Sequence, residues 1–546
     1  METITIILVL LLAVVVSGVI SRALPVPIPR PLVQIALGAI IGLSAGLRVD
    51  LNPEIFFLLF LPPLLFLDGW RIPKEEMLKD RAAILELAFG LVVFTVVGVG
   101  YFIDWLIPAM PFAICFALAA VLSPTDPIAV SAIAQRVPIP KRMMHILEGE
   151  SLLNDASGLV CLRFAIAAAL TGTFSLYEAT LAFFWVASGG IAAGVGVTLA
   201  TTWVKSWTGK RFGEESGSQI VISILIPFAA YLLAEHFHCS GILAAVAAGV
   251  TMSFAEEGGQ TLAATRMRRN SVWDAIQFAA NGIIFVLLGE QLPLIIAAAP
   301  DTVRLIGHDN LWWLLAYVAV IYAALALMRF IWVWVSLRLT IFRAKLNGTA
   351  PHRPTNWRLV AATSLAGVRG AITLAGVLTL PLTLSNGAMF PARELAIALA
   401  MGVIILSLVV ASIGLPLLLK GLEMPPEPSN TAEEETARIA AGEAAIAEIE
   451  RVQHGLSEGR KDADIYVATA ARLMAFYRSR IDVYGDNGQD AAASRKSEEI
   501  ERNMRLAAVK AERTAIFRML RKRQISTITA RKLVRELDLM EARYEG

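Results

Sequence analysis

Residues 143–170 read MMHILEGESLLNDASGLVCLRFAIAAAL, a long apolar run that carries Glu150-Ser151-Leu152-Leu153-Asn154-Asp155 inside it. Two carboxylates, an amide and a hydroxyl crowd into under two helical turns. A run of this length and apolarity reads as a membrane-spanning helix. Each ionised group in such a helix costs about 2.5–3.5 kcal/mol on insertion scales. A cost of that size points to an ion or proton site. Ser151, Asn154, Asp155 and Gly158 follow i, i+3, i+4, i+7 spacing and share one face. Glu150 is turned partly away, roughly 7.5 Å from Asp155 along the axis. Glu150 and Asp155 either share one cation or Glu150 pairs elsewhere, with Arg329 the available buried cation.

The rest of the chain has the same character. It is 56% hydrophobic and only 17% charged, where soluble domains carry about 25% charged residues. The fold class is therefore all-α and polytopic. Thirteen candidate spans lie near 3–21, 31–47, 53–68, 83–106, 111–135, 143–170, 177–204, 217–235, 240–254, 272–296, 311–337, 358–381 and 395–420. The first lacks a basic leader: Glu2 precedes the apolar stretch and Arg22 follows it, the reverse of a signal peptide. The odd-numbered connections hold 20 basic residues, and the even-numbered ones hold three, Arg48, Arg304 and Arg393. By the positive-inside rule the odd connections and the C-terminus are cytoplasmic and the N-terminus is outside. Cys115, Cys161 and Cys239 sit far apart in apolar segments and read as small core residues.

Residues 1–420 form this membrane domain, and residues 421–546 form a second, cytosolic one. Glu423-Met424-Pro425-Pro426-Glu427-Pro428-Ser429 is a linker. From residue 421 onward the chain has 21 basic and 22 acidic side chains, with Ala-, Glu-, Arg- and Leu-rich stretches that favour helix. The tail stabilises a dimer or regulates, and its partner is not legible. The near-neutral net charge gives no sign of a nucleic-acid partner.

Two other spans are interrupted. Ser123-Pro124-Thr125-Asp126-Pro127 breaks the fifth, because two prolines remove backbone donors. Gly367-Val368-Arg369-Gly370-Ala371 breaks the twelfth. Irregular backbone in a membrane belongs where it is buried in protein or lines a cavity. If spans 1–6 and 8–13 are repeats, the broken span is the fifth of each, and an odd helix count between them inverts one against the other. Asp68 ends the third span, as part of an ion funnel or as a solvated helix end. Glu86, Glu178, Glu235 and Glu290 read as interface-exposed. Asn281-Gly282 reads as an interhelical contact, and His236 and His238 as surface residues.

Thr125-Asp126-Pro127, Glu150-Ser151-x-x-Asn154-Asp155, Gly367-Val368-Arg369-Gly370-Ala371 and Leu61-Pro62-Pro63-Leu64-Leu65-Phe66-Leu67-Asp68-Gly69 together resemble the bacterial sodium/proton exchangers of the cation:proton antiporter-1 family. The resemblance covers the membrane region to about residue 420. It implies a homodimer in the plasma membrane with a core domain moving as an elevator, and no cofactor beyond the transported Na+ or Li+ and H+. It implies that Asp155 binds cation or proton beside Glu150, Ser151 and the Thr125 carbonyl. It pairs Arg329 with Glu150 and sets Arg369 against the broken-helix dipoles. An Asn154-Asp155 pair is associated with electroneutral exchange. A potassium/proton antiporter is the second reading. A channel and a membrane sensor signalling through its tail rank lower. No nucleophile–base pair or phosphate loop suggests an enzyme.

Overall fold

The computed structural model describes residues 2–24, 28–44, 53–72, 74, 78, 81–126, 130, 139, 141–171, 176–213, 215–256, 263–308, 310–346, 357–383, 388–420, 431–457, 463–485 and 489–545. Pro127 and the linker at 423–429 lie outside the described residues. The chain forms two compact units, Met1–Glu423 and Met424–Gly546. Both are helical. Among the described residues the one β interaction is an isolated bridge between Thr383 and Met389.

The first unit contains α1 (Glu2–Ala23), α2 (Arg30–Gly42), α3 (Pro53–Arg71), α4 (Arg81–Leu106), α5 (Phe112–Leu122), α6 (Lys141–Thr171) and α7 (Leu176–Phe212). It continues with α8 (Ser216–His236), α9 (Gly241–Ala255), α10 (Ala263–Leu305), α11 (Trp312–Leu346), α12 (Trp357–Leu365), α13 (Ala371–Leu378) and α14 (Arg393–Leu419). By length and apolarity α1, α4, α6, α7, α8, α10, α11 and α14 can each cross a membrane. Helices α2, α5 and α9 are shorter apolar helices. Every predicted span contains a helix, but in the fifth α5 ends at Leu122, ahead of non-helical residues 124–126, and the twelfth splits into α12 and α13. Pro62 and Pro63 sit inside α3 without ending it.

The helices pack as two groups. One is α1, α2, α3 and α7–α10; the other is α4–α6 and α11–α14. Within the first group, small residues set the spacing. Gly38 and Gly42 of α2 lie against the backbone of Val286 and Glu290 on α10, and Gly289 lies against Ile35. A side chain at these positions would force the backbones apart, as at other close helix contacts in membranes. The groups meet where α3 packs on α6 and α13 and where α10 packs on α13 and α14.

Two sequence readings change here. Glu290 is buried, 1% exposed, with Gln291 Nε2 donating to its Oε2 at 2.7 Å. It reads as an interface residue only if its helix ends near 296, whereas α10 continues to Leu305. Asp68 is likewise not a helix end, because α3 runs one turn further to Arg71. Glu235 does lie near the end of α8, where it accepts from Arg163 Nη2 at 2.9 Å and from the Gly241 N–H at 3.2 Å. His236 and His238 are exposed. The cysteines are free, Cys115 and Cys239 buried and Cys161 partly so.

The second unit consists of α15 (Thr431–Ser457), α16 (Ala463–Gly485), α17 (Gln489–Arg521) and α18 (Thr527–Glu545). Helices α15 and α16 pack together, as do α17 and α18. Val509 of α17 and Ala530 and Leu537 of α18 are buried in the second pair.

Candidate ion site

The two interruptions lie against each other. Helix α5 ends at Leu122 and residues 124–126 are non-helical; α12 ends at Leu365 and the backbone stays irregular to Gly370. The Asp126 N–H donates to the Val368 carbonyl at 2.7 Å, so one broken segment satisfies the other where neither has its own helical partner. Asp126 also packs directly on Gly370, where a Cβ would collide with its carboxylate. Gly158 of α6 makes room for the Pro124 ring in the same way.

Arg369 occupies the crossover, 2% exposed. Its Nε donates to the Leu122 carbonyl at 3.0 Å and its Nη1 to the Gly367 carbonyl. The first carbonyl is at the end of α5 and the second lies just past the end of α12. A cation at two helix C-termini is electrostatically favoured, because their freed carbonyls carry partial negative charge. The backbone N–H of Arg369 donates to Ser407 Oγ of α14 at 3.1 Å, and that hydroxyl donates to the Ile404 carbonyl at 2.8 Å.

Glu150 and Arg329 form a buried two-pronged pair, with Nη1 to Oε1 at 2.5 Å and Nη2 to Oε2 at 2.6 Å. The side chains are 1% and 2% exposed. Arg329 Nε also donates to the Thr363 carbonyl at 3.2 Å. Glu150 Oε1 further accepts from Thr125 Oγ1 at 3.3 Å and from Asn154 Nδ2 at 3.4 Å, and Asn154 Nδ2 reaches Thr125 Oγ1 at 3.0 Å. The face read as Ser151, Asn154 and Asp155 therefore divides. The Asn154 amide nitrogen turns toward Glu150 and Thr125, and its Oδ1 has no partner among the described residues.

Ser151 and Asp155 turn the other way, onto a cavity between the two helix groups. Thr125, Asp126, Ser151, Asp155 and Thr373 reach it from α5–α6 and α13, and Asp68 and Asn281 from α3 and α10. Leu61, Leu64 and Leu65 make its apolar wall. Space for water-sized occupants is about 30 Å³, enough for one or two waters or a bare monovalent ion, since one water needs roughly 10–15 Å³ by this measure. Asp155 is 5% exposed. Among the described residues no hydrogen bond reaches its carboxylate, while Glu150 has both oxygens on a guanidinium. Glu150 and Asn154 do not line the cavity; Asp68 does.

The sequence reading missed Thr373 and Ser407. Both are hydroxyls inside apolar helical stretches, and such groups ordinarily bond back to a carbonyl one turn earlier. The one usable signal for Thr373 was its place four residues after Arg369, in the first turn beyond the break.

Residues 7–421 match the family model described as sodium/hydrogen exchanger, transmembrane. The uncharacterized Na(+)/H(+) exchanger YjcE of Escherichia coli (strain K12) is 43% identical over 516 residues, 93% of this chain and 93% of the relative. The sodium, potassium, lithium and rubidium/H(+) antiporter of Bacillus subtilis (strain 168) is 37% identical over 516 residues, 94% of this chain and 74% of the relative. The fold is similar to that of the sodium proton antiporter MjNhaP1 from Methanocaldococcus jannaschii, with TM-score 0.57 and 17% identity over 77% of this chain and 99% of that one.

Proposed function

The chain belongs to the sodium/hydrogen exchanger family, and from that premise we propose that it exchanges Na+ or Li+ for H+ one for one, with Asp155 as the shared carrier. The observation that carries this reading is the contrast between the two carboxylates of α6. Glu150 is neutralised in place by Arg329, while Asp155 faces the cavity with no hydrogen bond from a described residue. A bare carboxylate charge held away from water is costly unless a cation or a proton neutralises it. Asp155 therefore takes one or the other. With Glu150 fixed as an ion pair, the loaded site bears the same charge in both directions, and membrane potential does not drive turnover.

In this reading the protein is a multi-pass homodimer in the bacterial plasma membrane, with its N-terminus outside and its C-terminus in the cytoplasm. It works as a transporter and not as an enzyme, without a resident cofactor. The broken segments are the fifth members of two inverted repeats. The group α4–α6 with α11–α14 moves against the other and carries the cavity from one face to the other. The position of the cavity between the groups supports this.

Purified protein in proteoliposomes tests both parts. Asp155→Asn is expected to abolish Na+-dependent proton movement while keeping the elution profile of the folded protein; exchange retained in that variant removes Asp155 as carrier. Under a valinomycin clamp the wild-type rate is expected to stay constant with potential. A rate that follows the clamp rules out electroneutral exchange. A second reading, with potassium as cargo, is favoured by one observation, the breadth of cations in the name of the Bacillus subtilis relative. Rates with Na+, Li+ and K+ across pH decide between them.

A further inference from the structure

A bare monovalent cation at Asp155 needs several oxygens to replace its water. Hard cations take carboxylate, hydroxyl and carbonyl oxygens for this purpose. Two side chains expected to help, Glu150 and Asn154, are held in the Arg329 and Thr125 network away from the cavity. Asp155 and Ser151 remain on one wall, together with the unwound segment at Thr125. Another wall is made by the first turn of α13, and Thr373 stands there.

Thr373 is 2% exposed. Three neighbouring hydroxyls on α12 and at the end of α13 are committed to nearby carbonyls: Thr363 donates to Leu359 at 2.9 Å, Ser364 to Val360 at 2.8 Å and Thr379 to Gly376 at 2.6 Å. Thr373 makes no such bond among the described residues, and it lines the same cavity as Asp155. A buried hydroxyl ordinarily finds a partner, and one without a partner in the protein that borders a small polar cavity is available to whatever fills it. Ser151 likewise makes no hydrogen bond among the described residues and lines the same cavity. We propose that Thr373 is a cation ligand, completing with Asp155 and Ser151 an oxygen shell that spans the crossover, and that it helps set which monovalent cation is carried.

The inference rests on the reading of Asp155 as carrier, and two substitutions separate it from a packing role. Thr373→Val keeps the branched shape and removes the oxygen; Thr373→Ser keeps the oxygen and removes the methyl. Proton movement in proteoliposomes is measured against Na+, Li+ and K+ concentration. Thr373→Val is expected to raise the half-saturating Na+ concentration roughly tenfold, about the effect of one lost polar contact. Its maximal rate at saturating Na+ should stay within about twofold of wild type, and the ratio of Li+ to Na+ half-saturation should change. Thr373→Ser should stay within about threefold of wild type. Failure of the valine variant together with failure of the serine variant assigns Thr373 to packing and overturns the proposal, as does a valine variant that matches wild type. If wild-type protein itself shows no cation-dependent proton movement, the carrier reading fails instead. Binding of Na+ to detergent-solubilised Thr373→Val, followed by calorimetry, gives the same comparison without turnover, and an unchanged affinity there counts against the ligand role.

Discussion

At the scale of single residues, the site separates a fixed charge pair from a carboxylate open to exchange. A buried ion pair is costly to form but worse to break, because removing one partner strands the other. Glu150→Gln or Arg329→Gln alone is therefore expected to destabilise the protein by about 3–5 kcal/mol. The double variant should recover much of that loss. Thermal unfolding in detergent checks the sequence, and single variants as stable as wild type would show that the pair contributes little. Gly370→Ala is a sharper lesion, since its methyl meets the Asp126 carboxylate; we expect transport to fall without loss of the folded dimer or monomer peak on gel filtration.

At the scale of elements, the breaks after α5 and between α12 and α13 are tied by the Asp126–Val368 main-chain bond and by the Arg369 side chain on the Leu122 and Gly367 carbonyls. Ser407→Ala leaves the Arg369 N–H buried without an acceptor, at a cost of about 1–3 kcal/mol. Thr at 407 should restore most of it, and a drop in melting temperature for alanine alone is the expected result. In the tail, hydrogen bonding from Arg513 holds the Glu541 carboxyl below the usual carboxylate range. Arg513 also donates to Asp538 at 2.7 Å. A depressed value stabilises the folded hairpin above the ordinary carboxylate value of about 4.3, and the contribution is lost as pH falls through the folded value. Hydrogen exchange on the full chain should show α17 and α18 protected to a similar degree from pH 8 to 5 and less so below about 4. Breaks of this kind were legible in the sequence, because proline and glycine announce them locally. Their mutual bond was not, since it joins residues far apart in the chain. Glu290 was misplaced because hydropathy falls off before the helix does. Asn154 shares a face with Ser151 and Asp155 by spacing, but its amide turns to Glu150 and Thr125, a choice that periodicity does not encode.

At the scale of the whole molecule, two helix groups enclose the cavity, and a second compact unit follows them. Charge alternation, apolar length and the polar run at 150–155 made the membrane unit readable. The grouping of helices was not, because it depends on contacts such as Gly38 with Val286 that no periodicity encodes. A chain ending at Glu423 is expected to insert and to exchange ions at a rate within about twofold of the full protein, the reading in which the output does not lie in the tail. Loss of exchange in that truncation, with membrane insertion intact, would instead make the tail part of the machine.

The bond from the Asp126 amide to the Val368 carbonyl joins main chain to main chain. Replacing side chains one at a time leaves both atoms in place, so a complete alanine scan would record sensitivity at Gly370, Pro124 and Arg369 and nothing at the bond itself. This main-chain tie between the two unwound segments is thus silent to conventional mutagenesis. Only an ester in place of the amide at position 126, introduced by chemical or expanded-code synthesis, makes it audible.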